Sequence, residues 1–249
     1  MYTLFHFRCI FRWFTHYYIL ATVVTSICVV LSIECYVFEM PPPGFLREFL
    51  VRLRVSEKSA LLTLMLLWLH VVRRLFESLF VSVYSDTKMN IMHYSLGLLH
   101  YLCLPCAVLV EAPGFVSNLI NLDSTLKQLS FLQLLGILLF AISNISQHQS
   151  LDVLANMRRN YLGNITNYAH GIPTSGWFEV VSCPHFLFEV LIYLSLWCTI
   201  GPLARVWPSV CLFVFVNQCI AAKITHNWYQ EKFGDMYPAH RRAIFPYLF

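Results

Sequence analysis

The sequence predicts an all-α protein, a polytopic integral membrane helical bundle of about six transmembrane helices. Hydrophobic residues make up 58% of the 249 residues and charged residues only 12%, whereas about 25% of the residues of a soluble domain are charged. The apolar residues form long runs rather than short alternating strands, and a helix satisfies its own backbone hydrogen bonds in lipid. The net charge of +4 is small, so no nucleic-acid partner is expected.

Six apolar segments approach the length of about 20 residues that a spanning helix needs. Pro41-Pro42-Pro43-Gly44 ends the first segment. A tight turn from Gly201-Pro202 to Trp207-Pro208 makes the last two segments a helical hairpin. Because no repeat or low-complexity tract divides the chain, residues 1–249 are expected to form one domain. The predicted spans are Tyr17–Phe38, Ala60–Val83, Ile91–Val110, Leu129–Ser146, Phe186–Leu203 and Val206–Ile224.

The loops between these spans differ in positive charge when they are placed alternately on the two sides of a membrane. One side holds Arg8, Arg12, Lys88, Arg158, Arg159, Lys232, Arg241 and Arg242. The other side holds Arg47, Arg52, Arg54, Lys58, Lys127 and Arg205. The positive-inside rule makes the first side cytosolic. The long polar connection from Gln147 to Pro184 and the C-terminus are therefore expected on the cytosolic side.

Cysteine usage gives no sign of a disulfide framework or a metal site. The nine cysteines are scattered, mostly inside apolar runs. Cys103 and Cys106 form a C-x-x-C, but a metal or redox site needs a second ligand pair or an exposed loop. We therefore interpret both as buried small apolar residues, and no metal is expected.

Ionisable residues close the second apolar segment, namely His70, Arg73, Arg74 and Glu77. Glu77 follows Arg73 by four positions and Arg74 by three, so the three can pair along one helix face. Ionisable groups at membrane depth are costly and usually face the interior of a bundle. They are candidates for catalysis, with His70, Arg73 and Arg74 as possible stabilisers of an oxyanion. The alternative is that the two arginines extend to the membrane interface.

Candidates for binding an anionic cofactor lie in the second half of the chain. His185 and Glu189 are one turn apart at the start of the fifth segment, where a helix N-terminus can receive a phosphate or an amide. A carboxylate within Phe186–Leu191 also requires a partner. Arg158 can pair with a phosphate, and the alternative, a topological anchor, is the preferred interpretation for Arg159.

The chain ends in a polar, aromatic and basic tail from His226 to Phe249. Its rings, histidine and prolines would be costly to order unless the tail packs against the protein. A cationic, ring-rich surface beside a bilayer suits an anionic cofactor. No G-x-G-x-x-G after a strand, P-loop or H-E-x-x-H is present, so a nucleotide would be bound without a Rossmann domain.

These motifs resemble the steroid 5α-reductase family, and most closely its polyprenol (polyprenal) reductase branch. The tail has the family's His-x-x-Tyr…Tyr-Pro-x-x-Arg…Pro-x-x-Phe pattern between His226 and Phe249. Three segments resemble the branch in particular: Arg73–Val83, Gly176–Ser182 with Pro184, and Phe245–Phe249. The resemblance covers nearly the whole chain, with a C-terminal reductase motif at 176–249.

The resemblance implies an NADPH-dependent enzyme of the endoplasmic reticulum membrane. Such an enzyme saturates the α-isoprene unit of a long polyprenyl lipid and supplies dolichol for protein N-glycosylation. The cofactor-binding positions of the family fall on Arg158, His185, Glu189, His226, Tyr229 and Arg241. His185 stands where the steroid reductases have an asparagine.

The chain departs from the family in two ways. Family members normally have seven spanning helices, so this chain is expected to begin just after the first. The tyrosine that polarises the substrate carbonyl in steroid reductases is replaced by Val71, and the accompanying glutamate has only Glu34 and Glu39 as candidates. The alternatives are a steroid or enoyl-lipid reductase on the same fold, or a non-catalytic membrane scaffold or channel subunit.

Overall fold

The structure is a computed structural model that describes residues 13–38, 40, 41, 43, 44, 46, 55–84, 90–112, 129–166, 168 and 170–248. Several residues named above lie outside the described residues, namely Arg8, Arg12, Glu39, Pro42, Arg47, Arg52, Arg54, Lys88, Lys127 and Phe249.

Every predicted span contains a helix, which confirms the helical membrane bundle. Five helices are long and apolar enough to cross a membrane, and the fifth in chain order is an apolar helix of 17 residues. The helices are α1 (Trp13–Tyr36), α2 (Glu57–Phe76), α3 (Ile91–Leu109), α4 (Phe131–Asn156), α5 (Pro184–Ile200) and α6 (Trp207–Phe233).

Three helix ends lie away from their predicted positions. α6 runs to Phe233 rather than ending at Ile224, so the first residues of the predicted tail are helical. The ends of α2 and α4 differ because polar side chains find partners inside the bundle. α2 closes in a π-helical turn, Glu77–Val81, which buries Glu77. α4 continues to Asn156 rather than ending at Ser146, since Asn144 and Gln147 make hydrogen bonds to neighbouring helices. The sequence marks this stretch as polar, but its polar face points inward.

Side-chain caps and glycines set several of the other helix ends. Ser56 Oγ accepts the Ser59 backbone N–H at the start of α2. Ser130 and Gln133 form a reciprocal capping box at the start of α4. Gly201 ends α5 with φ 104°, a conformation that disfavours other residues. The predicted α5–α6 hairpin therefore forms.

α5 lies at the centre of the bundle. It packs most closely on α4 and also contacts α2 and α6, while α1 packs on α2 and α3. Gly136 permits the α4–α5 approach, because a Cβ atom there would lie 2.9 Å from the Ser195 carbonyl oxygen. Cys103 and Cys106 are free and exposed. The prediction that they are buried is wrong, because α3 lies at the edge of the bundle and turns most of its surface outward.

The tail packs against the protein, as its composition predicts. After α6 the chain turns at Gly234 (φ 51°) and runs back along residues 180–183. Ser182 N–H donates to the Arg242 carbonyl (2.8 Å) and Cys183 N–H to the Ala243 carbonyl (3.1 Å). Ile244 is fully buried. The tail therefore fixes the segment that leads into α5.

Candidate active site

The bundle encloses an ion-pair cluster centred on Glu77, whose side chain is fully buried. The Glu77 carboxylate accepts hydrogen bonds from Arg73 Nη1 (2.5 Å) and Arg74 Nη1 (2.6 Å). His148 Nδ1 lies 2.8 Å from Glu77 Oε1. The pairing predicted from the sequence spacing is therefore confirmed, and the arginines do not simply extend to the membrane interface.

A second buried carboxylate, Glu189, lies on α5. Gln147 Nε2 donates to Glu189 Oε2 (2.5 Å), and His70 Nε2 lies 3.6 Å from Glu189 Oε1. Glu189 thus has the partners that its apolar surroundings require. Gln147 also accepts a hydrogen bond from Arg73, so it joins the two carboxylates into one network.

The network has equal numbers of positive and negative charges, which lie on α2 with its π turn and on α5. Arg73 and Arg74 supply two positive charges, and Glu77 and Glu189 supply two negative ones. Ion pairs of this kind tolerate burial only when their hydrogen bonds are satisfied. Arg73 meets that condition, because it also donates through Nε to Asn144 Oδ1 (2.9 Å). Its role is to hold α2 and α4 together.

A cavity of about 490 Å³ lies beside this network. Of the four residues predicted to act in catalysis, only Arg74 contributes to its wall, together with Glu189 and Gln147. His70 is fully buried outside the wall. Most of the remaining wall is aromatic or apolar and comes from α1, α3, α5 and α6, including Phe14, Tyr17, Tyr18, Leu96, His100, Tyr101, Tyr193, Phe213 and Val214.

A smaller pocket of about 280 Å³ lies next to the large cavity. The two share Ser82, Tyr84, Leu151 and His185 in their walls. The smaller pocket also has Arg158, His170, Ser182 and Tyr229 in its wall. The two spaces therefore adjoin: the larger has mostly aromatic and apolar walls, whereas the smaller has the charge of Arg158 in its wall.

The smaller pocket has the donors that a dinucleotide phosphate requires. Arg158 donates to the Val83 carbonyl and to His170 Nε2 (3.1 Å), and such neutral acceptors leave its charge uncompensated. Burial, with help from Arg158 and Lys232, lowers the pKa of His170, so its ring is neutral at pH 7 and can accept from Arg158. His185 Nδ1 is buried beside both spaces and has no partner among the described residues. These residues fit an anionic cofactor with an amide-bearing ring.

His226 and Arg241 lie one layer behind the pocket wall. His226 Nδ1 lies 2.6 Å from Ser182 Oγ, and Tyr237 OH lies 2.5 Å from the same oxygen. Arg241 is 2% exposed and donates to the Pro173 carbonyl (2.8 Å). Both residues secure the segment 173–183 against the tail. Direct contact of either with a cofactor remains a prediction, as do the roles of Arg158, His185, Glu189 and Tyr229.

Among the described positions that correspond to the carbonyl-binding pair of steroid reductases, Val71 and Glu34 do not contribute to the cavity wall. Val71 is buried in the core, and Glu34 is exposed. Sequence reasoning also missed Tyr18 and Asn144. The polar residues at positions 144, 147 and 148 could have been found as one face of an otherwise apolar helix. Tyr18 stands in an aromatic-rich run and gives no such signal.

Comparison with known proteins gives consistent matches along the chain. The family described as 3-oxo-5-alpha-steroid 4-dehydrogenase matches residues 110–249. A polyprenal reductase of Caenorhabditis elegans is 40% identical over 248 residues, which cover 95% of this chain and 78% of the relative. The polyprenal reductase of Danio rerio is 36% identical over 95% of this chain and 78% of its own length. That of Homo sapiens is 34% identical over 96% of this chain and 77% of its own length. The chain therefore belongs to the steroid 5α-reductase family, in the branch of the polyprenal reductases.

Proposed function

We propose that this protein reduces the α-isoprene double bond of polyprenal with NADPH, in the endoplasmic reticulum membrane, as a step of dolichol synthesis for protein N-glycosylation. It is an oxidoreductase that acts on CH–CH groups with a nicotinamide cofactor. The observation that carries the proposal is the pair of adjoining spaces, a largely apolar cavity and a pocket that bears Arg158, in a chain 40% identical to a polyprenal reductase.

The reaction requires a carbonyl next to the double bond. When bound, the reduced nicotinamide supplies a hydride. Its arrival at the β-carbon places negative charge on the carbonyl oxygen, where donors and cations stabilise it. An isolated allylic alcohol has no oxygen that can take up this charge. The aldehyde is therefore the direct substrate, although the overall pathway leads from polyprenol to dolichol.

Different residues would bind the cofactor in the smaller pocket and the substrate in the large cavity. Arg158 would bind a phosphate of the cofactor, with Tyr229 and His185 along the path to the large cavity. In the large cavity, Arg74 places a positive charge in the wall. A space of about 490 Å³ holds a ligand of roughly drug-like size, so only the aldehyde end of a long lipid enters it.

The proposal is tested with purified protein in lipid nanodiscs and no auxiliary dehydrogenase. Polyprenal and polyprenol are offered separately, each with NADPH or NADH, and saturated products are followed by mass spectrometry. We expect dolichal from polyprenal with NADPH. Saturated alcohol formed from polyprenol as fast as dolichal from polyprenal would refute the aldehyde as direct substrate.

A 3-oxo-Δ4 steroid is the second candidate substrate, because the matching family is described by that activity. It belongs in the same assay as a competitor. Faster turnover of the steroid than of polyprenal would favour this alternative. Absence of NADPH binding would instead favour a non-catalytic membrane protein.

A further inference from the structure

We infer that the Tyr18 hydroxyl, held by Arg74, donates the hydrogen bond that stabilises the aldehyde oxygen of the substrate. This inference rests on the proposed function. It assigns to Tyr18 the hydrogen bond to the carbonyl oxygen that Val71, which has no polar group, cannot donate. Tyr18 is 6% exposed and contributes to the wall of the 490 Å³ cavity.

The geometry around Tyr18 leaves its proton available. Arg74 Nη2 donates to the Tyr18 hydroxyl oxygen at 2.7 Å, so this oxygen acts as an acceptor toward the protein. No acceptor for the Tyr18 proton occurs among the residues that the structure describes. The guanidinium carbon also lies 4.9 Å from the ring centroid. A phenol beside a cation is a stronger donor, because the positive charge stabilises any negative charge that develops on its oxygen.

Arg74 in turn is held in place by Glu77. Its Nη1 donates to Glu77, which holds the guanidinium at the cavity wall. Nη1 and Nη2 are thus both engaged by the protein, and Nε is buried without a partner in the described structure. The positive charge of Arg74 therefore acts on a ligand most directly through the Tyr18 hydroxyl.

The other polar groups near the cavity are less suited to this role. Arg73 has its donors committed to Asn144, Glu77 and Gln147. The Tyr193 hydroxyl is engaged with His100 Nε2 (3.2 Å) and has no Arg or Lys hydrogen-bond partner within the described part of the chain. Glu189 also contributes to the cavity wall, but its carboxylate would repel an oxyanion. Among the described residues of the wall, Arg74 is the arginine or lysine, and Tyr18 is the hydroxyl that it contacts.

In the proposed step, a hydride that the reduced nicotinamide dinucleotide would supply forms the C–H bond at the β-carbon, and the C=C π bond breaks. The displaced electron pair moves to the carbonyl oxygen, where the Tyr18 hydrogen bond stabilises the enolate. A proton from solvent then forms the C–H bond at the α-carbon and restores the C=O bond. The lipid is reduced by two electrons and the dinucleotide is oxidised.

The test compares Tyr18→Phe with Tyr94→Phe. Tyr94→Phe is the control variant. It removes a hydroxyl that bonds to His16 Nδ1 (3.0 Å), and Tyr94 lies near Tyr17 but outside the cavity wall. Loss of an oxyanion donor typically lowers kcat by about 100-fold or more. We expect that fall in Tyr18→Phe, with a smaller change in KM, and wild-type behaviour in Tyr94→Phe.

A second measurement does not depend on turnover. In the infrared difference spectrum of protein with polyprenal and no cofactor, the bound carbonyl stretch should be shifted to lower frequency in the wild type and in Tyr94→Phe. In Tyr18→Phe it should return toward the value in an apolar solvent. An unshifted wild-type band, or unchanged kcat and carbonyl stretch in Tyr18→Phe, would overturn the inference.

A double-mutant cycle tests whether Arg74 acts on the reaction through Tyr18 or only supports the structure. If Arg74 acts through Tyr18, Arg74→Lys should lower kcat, and combining it with Tyr18→Phe should cost less than the product of the two single losses. Fully multiplicative losses would contradict the coupling. A wild-type protein that binds NADPH but reduces no polyprenal would overturn the proposed function, and this inference with it.

Discussion

At the scale of single residues, Glu77 is the group on which the buried charges depend. It neutralises Arg73 and Arg74 at 2.5 and 2.6 Å, and all three lie within a mostly apolar bundle. A buried pair contributes little net stability when complete, but removal of one partner leaves an uncompensated charge. The cluster is therefore a device that keeps Arg74 in place rather than a source of stability.

The first prediction concerns Glu77→Gln, which keeps the shape of the side chain and removes its charge. We expect a loss of about 3–5 kcal/mol in unfolding free energy, because two arginines lose their counter-ion. The measurement is unfolding in detergent micelles followed by Trp fluorescence. Glu179→Gln is the matched control, since Glu179 is 54% exposed and 3.8 Å from Arg241, and a change within about 0.5 kcal/mol is expected there. Equal stability of both variants would show that the cluster is not buried as described.

The second prediction compares two neighbouring arginines. Arg158 contributes to the wall of the smaller pocket, whereas Arg159 donates to the Phe80 and Val81 carbonyls outside it. A charge-assisted phosphate contact contributes about 1.5–3 kcal/mol. Arg158→Ala should therefore weaken NADPH binding by about 10-fold or more in a fluorescence titration, and Arg159→Ala should not. Equal effects of the two variants would remove Arg158 from the cofactor site.

At the scale of helices, sequence patterns predicted the existence of each element but not its neighbours. Long apolar runs marked the six α-helices of the described residues, because lipid leaves few other structures for such a chain. The i, i+3 and i+4 spacing also predicted the pairing of Glu77 with two arginines. By contrast, Tyr18 and Arg74 are 56 positions apart in the chain. Their contact follows from how α1 packs on α2, which no local pattern encodes.

The third prediction uses the contact between α4 and α5. A methyl group at Gly136 would lie 2.9 Å from a backbone oxygen of α5, which cannot move without shifting the helix. Gly136→Ala should therefore lower the unfolding free energy by about 1–3 kcal/mol, less the ~1 kcal/mol that alanine gains in helix propensity.

Gly97→Ala is the matched variant for this test. Its added methyl group would meet the far end of the Tyr17 side chain at 2.7 Å, and that ring can shift into the adjoining cavity. Its unfolding free energy in detergent should fall by less than that of Gly136→Ala. A larger loss at Gly97 than at Gly136 would contradict the close α4–α5 approach.

At the scale of the whole molecule, the two ends of the bundle differ in chemistry. Arg158, His170 and Tyr229 lie at one end around the smaller pocket, where the cofactor is proposed to bind. Lys58, Ser130 and Gly201 meet around a separate pocket at the other end. A soluble dinucleotide needs access to the first end, and a lipid substrate needs access from the bilayer. The proposed function therefore requires the smaller pocket to open toward the aqueous phase and the large cavity to open toward lipid.

The fourth prediction is that the cofactor end faces the cytosol. The sequence places more Lys and Arg on that side, and the tail packs there against residues 180–183. A glycosylation tag fused after Phe249 should remain unmodified in microsomes. The same tag on a flexible spacer after Leu203, at the exposed turn between α5 and α6, should be modified. Modification of the C-terminal tag would reverse the orientation of the bundle and place the cofactor pocket in the lumen, away from cytosolic NADPH.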